Sequence, residues 1–314
     1  MFSRDIIRVV RIDMRRRRVL IFGAGGMLGQ EFIAQLATER GLHVILSNHA
    51  KSDITDFTSV RRVLKRSHPD IVINCAANIV VDICEAKPIE AWAVNALGPG
   101  NIVRALAELG FHRTLFLQIS TADVFGSTAI KMHTVRDVPH PVNVYGWSKW
   151  GGEVISAAEA AAGDVPFIIV RTSWLYSFRR ATFVDAVARS LLEGRPIVAA
   201  TDQYNLPVSV GDVARRVRTL IRHPIHAANR TIHLAPRVVH PVSRYDIARF
   251  IATVLGKDSA LVRRGFRKDI FKAPRPCHST LVPSQGIELP HWKHALAKYM
   301  RARYGRLAGG RPKI

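Results

Sequence analysis

Cysteine, acidic side chains and long apolar runs are all scarce in this chain, and each shortage excludes something. Cys75, Cys84 and Cys277 stand in no paired or metal-binding spacing, which argues against a disulfide-stapled scaffold or a thiolate metal site and suits a reducing, cytoplasmic setting. Cys75 is expected as a buried, inert thiol. No uninterrupted apolar stretch approaches the ~18 residues of a membrane span. Residues 1–18 lack the apolar core of a secretory signal, and Asp5 and Asp13 argue against an organelle transit peptide. Residues 1–14 read as an N-terminal extension, with Met14 an alternative start directly before the first strand signal.

The acidic shortage is the odd one. Asp and Glu number 24 against 46 Lys and Arg, a net charge of +22 over 314 residues. Basic clusters occur at Arg15–Arg18, Arg61-Arg62, Arg179-Arg180, Arg215-Arg216 and Arg263-Arg264, and residues 305–314 form a basic tail. Because they are dispersed over both halves and no nucleic-acid module appears, nucleic acid is not an expected partner. Two readings stay open: attraction of phosphate-bearing substrate and cofactor, or a general basic bias.

What is present is alternation. Strands are expected near 18–23, 42–47, 70–75, 114–120 and 167–172, and helices near 27–40, 56–67, 88–109, 145–162 and 181–193. Helices are also expected at 208–222, 243–255 and 292–304, with a strand near 231–234. Such alternation predicts an α/β fold with a doubly wound parallel (Rossmann) sheet. No linker separates two halves, so a smaller C-terminal substrate-binding lobe is expected to interleave with it. The dinucleotide-binding part then takes residues 15–176 plus 208–234, and the lobe 177–207 plus 235–304.

The first apolar run, Arg18–Phe22, leads into Gly23-Ala24-Gly25-Gly26-Met27-Leu28-Gly29, and Phe32, Ile33 and Leu36 follow at helical spacing. Strand, glycine turn and helix in succession is the context of a dinucleotide fingerprint. Gly23 permits the tight turn, Gly26 the approach of backbone to a pyrophosphate, and Gly29 close helix–strand packing. Backbone N–H groups at the helix start would hold phosphates.

Farther along, Tyr145-Gly146-Trp147-Ser148-Lys149 puts a phenol and an ammonium on one helix face. A phenol with a reference pKa of about 10 is a poor acid or base near neutrality, and an adjacent ammonium is expected to bring it closer. A buried strand, Leu115–Thr121, ends in hydroxyls at Ser120-Thr121, at the strand end where ligands of parallel sheets sit. Asn95 interrupts an apolar helical run. A buried amide needs partners, so it either kinks the helix or joins a proton relay.

Taken together these motifs resemble the extended short-chain dehydrogenases/reductases, specifically the dTDP-4-dehydrorhamnose reductase branch. Further matches are Asp53-Ile54-Thr55-Asp56, Pro69–Ala77, Val94-Asn95-Ala96, Val124-Phe125, Gly152-Glu153, Arg171–Tyr176 and Asp202-Gln203. The likeness covers roughly residues 17–255 and fades after them. It implies reduction of the 4-keto group of a nucleotide-linked 6-deoxysugar, with NADPH or NADH as cofactor. It also implies roles for individual residues. Tyr145 gives the proton, Lys149 binds the nicotinamide ribose, Thr121 bonds the carbonyl oxygen and Asn95 supports the relay. Gly23, Gly26, Met27, Leu28, Gly29, Asp53, Ile54, Ala76 and Ala77 would line the cofactor, and Val81, Asp123 and Trp174 the substrate; Trp174 is equally readable as a core indole. No protein metal site is expected, dependence on magnesium is open, and a homodimer is a possible assembly.

NADPH is the expected preference, because no acid stands about twenty residues past the glycine turn to meet a ribose 2′-hydroxyl. Ser47-Asn48-His49-Ala50-Lys51 stands there instead, with His49 or Lys51 available to a 2′-phosphate and Asp53 nearer the adenine. Two departures bear on the pocket. The branch's Ser-Thr-Asp-Tyr-Val-Phe appears as Ser120-Thr121-Ala122-Asp123-Val124-Phe125, and its Asp-Gln-x-Gly-x-Pro-Thr as Asp202-Gln203-Tyr204-Asn205-Leu206-Pro207-Val208. Asn205 is expected to take the left-handed conformation of the missing glycine. Alternatives are a sugar-nucleotide epimerase or dehydratase of the same superfamily, or a non-catalytic cofactor-binding regulatory subunit.

Overall fold

The computed structural model describes residues 16–50, 52–126, 131–222 and 229–307. The N-terminal extension, Lys51 and residues 308–314 of the basic tail lie outside the described residues. The chain runs β1 (Arg17–Phe22), α1 (Met27–Leu36), β2 (Leu42–Ser47), α2 (Phe57–Ser67) and β3 (Ile71–Asn74). Next come α3 (Val81–Ala86), α4 (Pro88–Trp92), a π-helical turn at Ala93–Leu97, and α5 (Gly98–Glu108). After these are β4 (Leu115–Thr121), a 3-10 turn at Ala122–Val124, α6 (Val144–Ala162) and β5 (Phe167–Thr172). The second part holds β6 (Trp174–Tyr176), α7 (Phe183–Leu192), β7 (Ile197–Ala200), β8 (Pro207–Ser209) and α8 (Val210–Arg222). It closes with β9 (Arg230–Leu234), α9 (Arg244–Leu255), β10 (Val262–Gly265), α10 (Arg267–Ile270) and α11 (Trp292–Tyr304).

Six strands form one parallel sheet in the order β2-β1-β3-β4-β5-β9. The chain first moves outward from β1 to β2, then returns to the other side of β1 for β3. That reversal opens a crevice at the carboxyl ends of β1 and β3, where doubly wound sheets take their ligands. Strand alternation divides the apolar residues between two faces. Val19, Ile21, Ile73 and Leu117 pack with α1 and α8 through Phe32, Val217 and Ile221. Leu20, Phe22, Val72 and Phe116 pack with α2 and α5 through Leu64, Ile102 and Leu106. A further core gathers α7, α9 and α11 around Val187, Leu191, Ile247, Ile251, Leu296 and Met300, with β7 paired to β10 beside it.

Several elements depart from expectation. α1 ends at Leu36 because turn bonds (Glu39 N–H to Leu36 O, Leu42 N–H to Glu39 O) carry the chain into β2. The helix expected over 88–109 is broken by the π-helical turn that holds Asn95. α3 is too short to show a period, and β6, β7, β8 and β10, each of three or four residues, exist only through pairing with distant segments. Val208 belongs to β8 rather than to the following helix. Asn205 is not in the left-handed region, where Asp164, His68 and Asn229 are the non-glycine examples among the described residues. Its amide instead bridges Ser173 Oγ, Ser279 Oγ and the Leu206 N–H, so side-chain bonding replaces the glycine's conformational freedom.

Candidate active site

Gly23 sits at φ +73°, and a Cβ there would meet Ala76 N at 2.5 Å. A Cβ on Gly29 would strike the Gly23 carbonyl. The turn from β1 is therefore pressed against both the end of β3 and the start of α1. Gly23, Gly25 and Gly26 line a cleft of about 590 Å³ together with Asn48, His49, Asp53, Ile54, Cys75, Ala76, Ala77 and Asn78. The start of α1 has backbone N–H groups without intrahelical acceptors, as every helix start does, so the cleft suits a dinucleotide's phosphates. Leu28 and Gly29 are buried beneath it, while Met27 faces the neighbouring cleft. Asp53 turns its carboxylate to the Thr55 N–H (2.9 Å) and hydroxyl (2.8 Å), and those bonds hold its pKa below the usual range. Cys75 lines this cleft as a residue of intermediate exposure, and burial of its sulfur pushes the thiol pKa up, as suits the buried, inert thiol expected there.

The second cleft, about 350 Å³, receives Thr121 from the end of β4 and Tyr145 from the first turn of α6. Asn143 caps α6 by accepting from the Gly146 N–H at 2.8 Å, and its amide donates to Pro274 O at 2.9 Å. Met27, Ile79, Val81, Asp123, Ser173 and Trp174 also line it. Thr121 Oγ1 accepts from the Asp123 N–H at 3.1 Å and bonds the Tyr145 side chain. Burial pushes the Tyr145 phenol above its ordinary pKa, Asp123 adds to this, and the Thr121 bond opposes it. Lys149 is not among the groups that move it, so the lowering expected from an adjacent ammonium is not found. Lys149, 4% exposed, spends a donor on Ile119 O at 2.8 Å, and burial lowers it to about 8, opposed by Glu153 and Cys75. The phenol therefore stays protonated at neutrality, the state a proton donor requires.

Asn95 lines neither cleft. Its amide donates to Asn78 O at 2.9 Å and to Ser148 Oγ at 3.1 Å, its carbonyl accepts from the Asn78 N–H at 2.8 Å, and the Ser148 hydroxyl bonds Tyr145 O at 3.0 Å. The π-helical turn and the amide network thus tie the loop after β3 to the Tyr145 helix. Beneath them Glu153 accepts from Ser120 Oγ at 2.5 Å and pairs with Arg171 at 2.6 Å, both side chains being buried.

The sequence named Arg179-Arg180 only as a basic cluster and Asp202-Gln203 only as a motif match. It did not single out which arginines form the cationic wall of the second cleft: Arg180, Arg244 and Arg275, with Gln203 also lining it. Arg244 is the first residue of α9, whose Ser243–Asp246 capping box fixes the helix start. Its guanidinium lies 4.2 Å from the Trp174 ring and 4.5 Å from Phe183, and donates to Gln203 Oε1 at 2.6 Å. Burial lowers its pKa to about 10, against the pull of Asp123. Arg275 pairs with Asp82 at 3.1 Å and lies over Phe271 at 4.7 Å. Arg244 and Arg275 carry no local sequence signature; folding alone brings them into the cleft with Tyr145. Trp174 consequently walls the cleft and supports Arg244. Among the described residues no group of three or more His, Cys, Asp or Glu is placed to hold a metal ion, and no helix is long and apolar enough to cross a membrane.

A parallel Rossmann sheet with a glycine turn, and a Tyr–Lys helix beside a threonine-ended strand, define an oxidoreductase of the short-chain dehydrogenase/reductase class with a nicotinamide cofactor. The model of the RmlD substrate binding domain matches residues 17–304, and the chain belongs to that family. The match thus continues past residue 255, where the likeness in motifs fades, as far as residue 304. The chain is 33% identical over 316 residues to a dTDP-4-dehydrorhamnose reductase of Mycolicibacterium smegmatis, covering 96% of this chain and 91% of that protein. It is 34% identical to one from Mycobacterium tuberculosis, covering 92% and 94%. A crystal structure of the Bacillus anthracis dTDP-4-dehydrorhamnose reductase in complex with NADP superposes with a TM-score of 0.81, at 27% identity over 91% of this chain and 99% of that one.

Proposed function

We propose that this protein reduces the 4-keto group of a nucleotide-linked 6-deoxysugar, as dTDP-4-dehydrorhamnose reductases do. The carrying observation is the convergence of Thr121 and Tyr145 on a cleft that adjoins the glycine cradle and is walled by arginines. A reduced nicotinamide cofactor supplies the hydride. Thr121 and Tyr145 hold the carbonyl oxygen, and Tyr145 gives it the proton. Lys149 positions Tyr145 and the cofactor ribose from behind. Arg275 and Arg244, on the far wall, suit a diphosphate, which guanidinium groups bind with charge-assisted, often bidentate hydrogen bonds. On this reading residues 177–207 and 235–304, which supply most of that wall, act as the substrate-binding lobe.

NADPH is the proposed preference. Asp53 is engaged by Thr55, and His49 stands exposed at the cleft rim where a 2′-phosphate would meet it. The test is cofactor oxidation, followed optically, against a panel of nucleotide-linked 4-ketosugars and the corresponding free sugars. Tyr145→Phe should lower turnover by on the order of 10² to 10⁴ while cofactor affinity holds. A Phe variant turning over like the wild type, or a free sugar reduced as well as its nucleotide form, would refute the assignment.

A further inference from the structure

Asp123 is a carboxylate in an unusual state. It is 8% exposed and lines the cleft that holds Tyr145 and Thr121. Its backbone N–H is bonded to Thr121 Oγ1, which fixes its place two residues past the strand end. Among the described residues its side chain accepts no hydrogen bond and joins no ion pair; Arg244 and Arg275 act on it only at longer range. Both guanidinium groups have other partners, Arg244 on Gln203 and three aromatic rings, Arg275 on Asp82. Buried carboxylates are ordinarily bonded or paired, so neither packing nor a structural ion pair accounts for this one. Burial raises it to about 6, close to neutrality and suited to proton transfer in both directions.

Resting on the reading of this cleft as a ketosugar site, we infer that Asp123 is a general base and acid that removes and returns the proton on a carbon next to the substrate's carbonyl. The site then enolises its substrate as well as reducing it. In the forward step the C–H bond breaks and its proton passes to the Asp123 carboxylate. The electron pair left behind forms the carbon–carbon double bond, while the carbonyl π pair moves onto the oxygen, which takes a proton from Tyr145. The reverse step restores the ketone. No oxidant or reductant is consumed. Thr121 and Tyr145, already facing the carbonyl oxygen, stabilise the charge that develops there. A single carboxylate returns the proton to the face it came from, so the activity is exchange without inversion. Enolisation of this kind is the first step of any epimerisation at a carbon flanking the ketone.

Exchange and reduction can be measured on one preparation of the full chain. A dTDP-linked 4-keto-6-deoxysugar is incubated in D₂O with NADP⁺ in place of NADPH, and proton NMR follows loss of the signals at the two carbons beside the carbonyl. A parallel sample receives NADPH and reports reduction. Wild type should exchange one of these protons on the order of 10² faster than protein-free buffer or more. Asp123→Asn should lower the ratio of exchange to reduction by a similar factor, and Asp123→Glu should recover part of it. A wild type that reduces the sugar but exchanges at the buffer rate would overturn the inference alone, as would an Asn variant with an unchanged ratio. Neither reduction nor exchange would bring down the ketosugar reading with it.

Discussion

Replacing Asp123 with asparagine should make the protein more stable at neutral pH. The carboxyl's pKa is raised from 3.8 to about 6, chiefly by burial, so the folded protein holds this proton more tightly than the unfolded chain. Between those two values the folded state binds more protons, and stability contributed by this group falls as pH rises through the window. Above about pH 6 the loss is complete and amounts to about 3 kcal/mol. Asparagine has nearly the shape of the neutral acid and never ionises, so it recovers that loss. The neighbouring groups do not titrate in this window: Tyr145 stays neutral and Arg244, at about 10, stays charged. With an unfolding entropy of about 2.1 cal/mol/K per residue, a chain of 314 residues converts ~3 kcal/mol into a rise in Tm of about 4–5 °C. Differential scanning calorimetry of both proteins from about pH 7 down to about pH 4 makes the comparison, and the advantage should shrink toward zero at the acid end. An Asn variant melting at or below the wild type near neutrality, or an advantage that does not fade with acid, would refute the reasoning. Such a gain in stability at a residue facing the cleft is the usual sign of a site held in a costly state for its chemistry.

Other perturbations follow from the same geometry. Glu153→Ala leaves Arg171 buried without its carboxylate and Ser120 without its acceptor, so the urea midpoint should fall by the equivalent of about 3–5 kcal/mol; a shift under about 1 kcal/mol would show that water or His233 replaces the pair. Arg275→Met should raise KM for the nucleotide-linked sugar about 10- to 100-fold, the worth of a charged hydrogen bond of about 1.5–3 kcal/mol. Steady-state kinetics reads this, and an unchanged KM would remove Arg275 from the diphosphate site. Dissociation constants by fluorescence titration should be lower for NADPH than for NADH, and tighter NADH binding would reverse the proposed preference.

The local parts of this protein are legible in its sequence because local physics writes them in contiguous residues. The alternation of Val19, Leu20, Ile21 and Phe22 between two cores needs only the pleat of a strand. The Gly23 turn needs a positive φ, which glycine adopts without strain. Tyr145 and Lys149 share a helix face by spacing alone, although the spacing did not reveal that burial and Asp123 would keep the phenol's pKa high. The wall opposite Tyr145 had no such signature. Arg244 is an ordinary first residue of a capped helix until Trp174, Phe183 and Phe271 close around it. β6 and β8 are three-residue segments whose only cause is each other. Asn205 looked like a substitute for glycine's backbone freedom, yet its amide is consumed by Ser173 and Ser279, which lie 32 and 74 residues away. Asp123 was readable as a residue near the substrate, but its lack of a partner among the described residues depends on where two distant arginines spend their own bonds. Periodicity and turn chemistry act over a few residues and leave a pattern in them, whereas burial and the pairing of charges are decided by which segments meet.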